Sequence, residues 1–213
     1  PPRTLAASER APMTSARVFL ISLHADPTSA SGVGSGGGTH SYLRELITGF
    51  SLNAIHWTLV TRRATEALPN HEHVSRFGQL HRIQVGPVGQ MDKLRLDEFH
   101  DQSVAGVREI FLKERGSDSV LHSVYWNSGR VAMQLSSEFG VRFVHTVVSN
   151  GKRRQLQEAG CEVPNRIAVE SEVFQRANRI ISVSESERRD LIDLYGVDPG
   201  KIVVVGRPVP DAF

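Results

Sequence analysis

From Arg17 to Gly206, apolar runs of strand length alternate with segments of helical period, and this alternation constrains the fold more than any other feature of the chain. The first unit sets the pattern. Arg17-Val18-Phe19-Leu20-Ile21-Ser22-Leu23-His24 reads as a buried strand, a loop with Gly32, Gly34, Gly36, Gly37 and Gly38 follows, and Thr39 to Phe50 puts Leu43, Leu46, Ile47 and Phe50 on one helical face. A strand feeding a glycine loop and then a helix N-terminus aims backbone N–H groups and the positive end of a helix dipole at one spot, which suits an anion. Equally, the loop reads as a flexible surface segment. Gly32-x-Gly34-x-x-Gly37 also matches the dinucleotide fingerprint, but about eight residues separate it from the strand, and the second strand runs into Arg62-Arg63 where that fingerprint expects an acidic residue.

Residues 1–15 carry Pro, Ser, Ala and Arg without periodicity, so a disordered lead-in is expected, and a start at Pro-Pro rather than Met suggests a piece of something longer. His56 to Thr61 is the second strand. The polar stretch Asn70-His71-Glu72-His73 reads as a solvated loop; its His-x-His lacks a third ligand at metal-site spacing, so no metal is expected. Leu80 to Val85 is the next strand, followed after Asp92-Lys93 by one long helix from Arg95 to Arg115 with Val104, Val107 and Phe111 on a face. Ser119 to Ser123 and Val141 to Thr146 read as strands around a helix from Trp126 to Phe139, and Ser149-Asn150-Gly151-Lys152-Arg153-Arg154 as a polar loop. Arg166 to Ala177 is helical, Arg179 to Val183 a strand, Ser184-x-x-Glu187 a capping box for a helix stopped by Gly196, and Lys201 to Gly206 a last strand.

Such a chain predicts an α/β fold, a Rossmann-like parallel sheet with helices on both faces, whose ligands sit off the carboxyl ends of the strands. The residues just past those ends, His24 and the glycines, the Lys93 region, His122 to Asn127, Ser149 to Arg154 and Ser184, are rich in donors and poor in carboxylates. That lining suits a phosphate or a hydroxyl-rich sugar, although loops at strand ends are commonly polar. With 213 residues there is room for one such domain. A net charge of +2 and pI near 9.0, without a dense basic stripe, argue against nucleic acid. Cys161 is the only cysteine, which excludes an internal disulfide and favours a reducing cytoplasm, and no apolar run has the length of a membrane span.

Ile21-Ser22-Leu23-His24, Gly37-Gly38 with Tyr42, His122-Ser123-x-Tyr125-Trp126-x-Ser128-Gly129, Val144-His145-Thr146 and Arg166-x-x-x-Glu170 together resemble the N-terminal half of family 4 retaining glycosyltransferases of GT-B fold. The likeness extends over residues 16–206 and is strongest to the transferases of mycothiol synthesis and to sucrose-phosphate synthases; residues 207–213 fall at the interdomain linker, without the family's Pro-Gly-x-Asp. The resemblance implies an acceptor-side domain, with a nucleotide sugar as co-substrate, no cofactor, and a second Rossmann-like domain that holds most of the donor. It places Gly37 and Gly38 at the donor diphosphate, and Lys93, Tyr125, Ser149 and Arg166, joined by His24, His40 and Lys152, at a phosphorylated acceptor. His40 stands where the mycothiol transferase has asparagine, Val148 where the relatives have histidine, and Ser149 where they have threonine. Val148 cannot donate to a sugar hydroxyl, which leaves open a non-catalytic small-molecule binding protein of the same fold. An NADP-dependent oxidoreductase stays open on the glycine string and Arg62-Arg63 alone.

Overall fold

The computed structural model describes residues 17–29, 37–158, 160 and 165–206, so the lead-in, most of the glycine loop, Cys161 and the linker lie outside the described residues. Among the described residues eight strands form one sheet: β1 (Arg17–Ile21), β2 (His56–Arg62), β3 (His71–Ser75), β4 (Gly78–Ile83), β5 (Ser119–Val124), β6 (Phe143–Thr146), β7 (Arg179–Ser182) and β8 (Ile202–Val204). Their order across the sheet is β3-β4-β2-β1-β5-β6-β7-β8, and every neighbouring pair is parallel except β3 with β4. The chain thus works outward from β1 first in one direction and then, from β5, in the other.

Six α-helices among the described residues cover the sheet: α1 (Gly37–Leu52), α2 (His100–Glu114), α3 (Trp126–Phe139), α4 (Gly151–Gln157), α5 (Arg166–Arg176) and α6 (Glu185–Tyr195). Strand alternation sorts the core. Phe19 and Ile21 of β1 face the larger cluster, with Val107 and Phe111 of α2, Leu135 of α3 and Phe174 of α5; Leu20 faces the smaller one, with Leu43 and Ile47 of α1 and Leu59 of β2. Helices therefore lie on both faces, as expected. Gly129 lets α3 sit close to the sheet, since a Cβ there would lie 2.9 Å from both the His145 ring and Val173.

Three expectations need correction. The stretch around His71 to His73 is not a loop but edge strand β3, bulged between His73 and Ser75 and paired antiparallel to β4. Its side chains are mostly exposed, so the main-chain ladder rather than an apolar pattern makes it a strand. The long helix before β5 is two pieces, a 3-10 turn over Lys93–Phe99 capped by Asp92, then α2. Ser149 to Arg154 opens a helix, α4, whose N-cap Asn150 accepts from the Arg153 N–H. The capping box holds: Ser184 Oγ accepts the Glu187 N–H at 3.1 Å, and Gly196 takes the left-handed conformation that ends α6.

Candidate functional site

The carboxyl end of β1 leads into a segment tied down on three sides. Leu23 N–H donates to Ser128 Oγ on α3 at 3.1 Å, Asp26 accepts from Thr28 and, at 2.6 Å, from Arg82 Nε, and His40 Nδ1 lies 2.6 Å from the Asp26 carbonyl. A carbonyl only accepts, so the His40 Nδ1 carries a proton. On the far side, buried Arg62 donates to the carbonyls of Val85 (2.9 Å), Gly89 (3.0 Å) and Pro87, shaping the turn that delivers Lys93. Asn127 Nδ2 then holds the Lys93 carbonyl at 3.1 Å, so the first turn of α3 positions both the β1 exit and Lys93.

Between these walls lies a cleft of about 700 Å³, lined among others by His24, Asp26, His40, Thr61, Arg62 and Lys93. It opens off the carboxyl ends of β1 and β2, next to the β1–β5 junction where the strand order reverses. The His24 imidazole is pushed down to about 3 by burial first, then by the Lys93 and His40 charges, so it is neutral at physiological pH. Its Nδ1 is buried and, among the described residues, has no hydrogen-bond partner.

Tyr125 joins this cleft to the next strand end. Its ring lies 4.6 Å from the His24 ring, with Lys93 Nζ and Arg166 Cζ each 5.1 Å from its centroid. Arg166 Nη2 in turn donates to the Ser149 carbonyl (3.0 Å) and Oγ (3.1 Å). Residues far apart in sequence, His24, His40, Lys93, Tyr125, Ser149 and Arg166, thus form one connected set. Gly37 and Gly38 begin α1, two residues before His40.

Tyr125 holds φ 74° and ψ 155°, a region that is essentially glycine's. Tyr125→Gly is therefore expected to be more stable than Tyr125→Ala by about 1–3 kcal/mol in urea denaturation, because both lose the ring but only alanine keeps the strain.

Lys152 is not brought to this set. Its ammonium donates to the Leu194 carbonyl at 2.5 Å and stands 4.7 Å from the Tyr195 ring centroid, on the α6 side. Arg166 and Glu170 are both fully buried and paired at 2.7 Å, a very different situation from an exposed i,i+4 pair. His145 is a core histidine, its Nδ1 2.9 Å from Ser123 Oγ, and Trp126 is core. Asp26, Arg82 and Tyr195 were not singled out by the sequence; their partners lie on other elements, and nothing local marks them.

Arg62 is committed to three carbonyls, which removes it, though not Arg63, as a cation for a ribose phosphate. This mostly parallel sheet covered by helices is the Rossmann-like half of a GT-B glycosyltransferase fold. The chain belongs to the Glycosyl transferase 4-like domain family, which it matches over residues 37–208. It is 32% identical to the D-inositol 3-phosphate glycosyltransferase of Acidothermus cellulolyticus, over 99% of the chain and 48% of that relative. Its counterpart in Streptosporangium roseum is 31% identical, over 89% of the chain and 44% of that relative. The chain therefore spans about half the length of the curated relatives it matches. Among solved structures, sucrose-phosphate synthase from Thermosynechococcus elongatus has the same fold, with a TM-score of 0.80, 24% identity, and coverage of 89% of this chain and 47% of that one. Among the described residues no helix is long and apolar enough to cross a membrane.

Proposed function

We propose that this chain is the acceptor-side half of a retaining glycosyltransferase that moves a sugar from a nucleotide sugar to a hydroxyl of a phosphorylated sugar or polyol. The observation that carries the reading is the convergence of Lys93 and Arg166 on the Tyr125 ring, beside the Ser149 hydroxyl and the His24 cleft. Two cations and a hydroxyl brought to one place suit a phosphate, and the inositol phosphate in the relatives' names is an acceptor of that class. Gly37 and Gly38, at the start of α1, take the donor diphosphate in this reading, where N–H groups and helix dipole favour it. The leaving phosphate accepts the proton of the attacking hydroxyl, and a second domain completes the donor site, so the 213-residue chain alone is expected to bind acceptor without turning over. With one cysteine in the sequence, we place the enzyme in the cytoplasm.

Calorimetric titration with D-inositol 3-phosphate and with unphosphorylated inositol tests the reading. Lys93→Ala is expected to weaken the phosphorylated ligand about tenfold to a hundredfold, the value of one charge-assisted hydrogen bond, and the unphosphorylated one much less. Equal, small losses on both ligands, or no phosphate-dependent binding by the native chain, would overturn it.

A further inference from the structure

We infer that Glu170 and Tyr195 are positioning residues that set selectivity for a phosphorylated acceptor, by clamping Arg166 and the Ser149–Gly151 turn into one rigid wall. The inference rests on the proposed acceptor site. Glu170 Oε1 accepts from Arg166 Nε at 2.7 Å, while Oε2 accepts from the Gly151 N–H at 2.8 Å and from the Tyr195 hydroxyl. Tyr195 Oη also accepts the Lys152 N–H at 2.9 Å. One carboxylate and one phenol thus receive the first two amides of α4 and orient the guanidinium on α5, from side chains on α5 and α6.

These hydrogen bonds admit one protonation pattern. All three neighbours of Glu170 donate, so it serves as a carboxylate even though burial pushes its pKa upward. Burial and the Glu170 charge push the Tyr195 phenol well above its ordinary range, so its hydroxyl keeps its proton and gives it to Glu170. Arg166, fully buried, cannot reorient through solvent; its direction toward Ser149 and Tyr125 is the one that Glu170 leaves it. A guanidinium selects a phosphate over a hydroxyl through the fixed angle of its fork, so loosening the clamp costs discrimination before it costs binding.

The test is Tyr195→Phe, which removes the hydroxyl but keeps the ring packed edge-on against Phe174 at 4.9 Å. Affinities for D-inositol 3-phosphate and for inositol are measured by calorimetry on this variant, with Lys93→Ala alongside. The phosphorylated-to-unphosphorylated affinity ratio should fall about tenfold in Tyr195→Phe, as for the loss of one charge-assisted contact, with the far-ultraviolet spectrum unchanged. Glu170→Gln, whose amide nitrogen replaces one accepting oxygen and so faces either the Arg166 donor or those of Gly151 and Tyr195, should lower the same ratio and serves as the second variant if Tyr195→Phe folds poorly. A merely structural role would lower the melting temperature and leave the ratio alone, which overturns the inference. If Lys93→Ala also leaves the ratio unchanged, the proposed acceptor site itself has failed; if only Lys93→Ala lowers it, the site stands and the clamp is wrong.

Discussion

Arg82→Ala is expected to destabilise the chain by about 3–5 kcal/mol, because it strands Asp26 as a buried charge. The Arg82 side chain is 1% exposed and that of Asp26 8%, and they meet at 2.6 Å. The same guanidinium donates to the Pro69 carbonyl (2.8 Å), Thr28 Oγ1 (2.6 Å) and Glu72 Oε2 (3.0 Å), so it fastens the β1 exit and β3 to β4 together. Urea denaturation of native and variant chains measures the loss. The double variant Arg82→Met with Asp26→Asn should recover part of it, since asparagine still accepts from Thr28 and the charge left unpaired, Glu72, is partly exposed rather than buried. A loss under about 1 kcal/mol for Arg82→Ala would show that water reaches Asp26 and that the pair is not the anchor described.

The second large effect is acid lability. His122 is pushed down to about 4 by burial, and His145 to about 3 by burial and then by the His122 charge. They are 5% and 1% exposed, with Nε2 of His122 2.8 Å from Thr146 Oγ1 and Nδ1 of His145 2.9 Å from Ser123 Oγ. In the unfolded chain both titrate near 6.5, so below that pH the unfolded state binds more protons and stability falls as pH falls, down to the folded values. At pH 5 each contributes roughly 2 kcal/mol of loss, about 4 together, and buried His24 adds a like amount, a large share of the margin of an ordinary domain. Denaturant unfolding at pH 7 and pH 5 reads this directly, because most carboxylates titrate lower. Equal stabilities at the two pH values would mean that these imidazoles take up protons while folded.

How much of this was legible in the sequence depended on where each partner lies. The parallel sheet, the Ser184–Glu187 box and the Gly196 stop rest on patterns within a few residues, and they stand as read. Strand ends in such a sheet converge, a rule of topology that points to the Lys93 region, Tyr125 and Ser149 without knowing their contacts, whereas Arg166 comes from the family resemblance alone. Misread segments are those made by distant neighbours: β3 exists through its ladder with β4, and α4 through caps from Asn150, Glu170 and Tyr195. Lys152 went astray for the same reason, since α6 draws its ammonium to Leu194. The burial of Arg166 was not foreseen, because Glu170 one turn later looks the same on a wet helix as on a dry one.

The fastening of α4 also sets the smallest piece that relatives in this family can trade. A graft of residues 147–157 alone would bring in foreign amides with no matched carboxylate and phenol to receive them, whereas a segment running from the end of β6 through Tyr195 carries both receivers with it. Chimeras meant to exchange this wall should therefore be cut after Thr146 and after Gly196, where α6 ends, rather than at the Ser149–Gly151 turn.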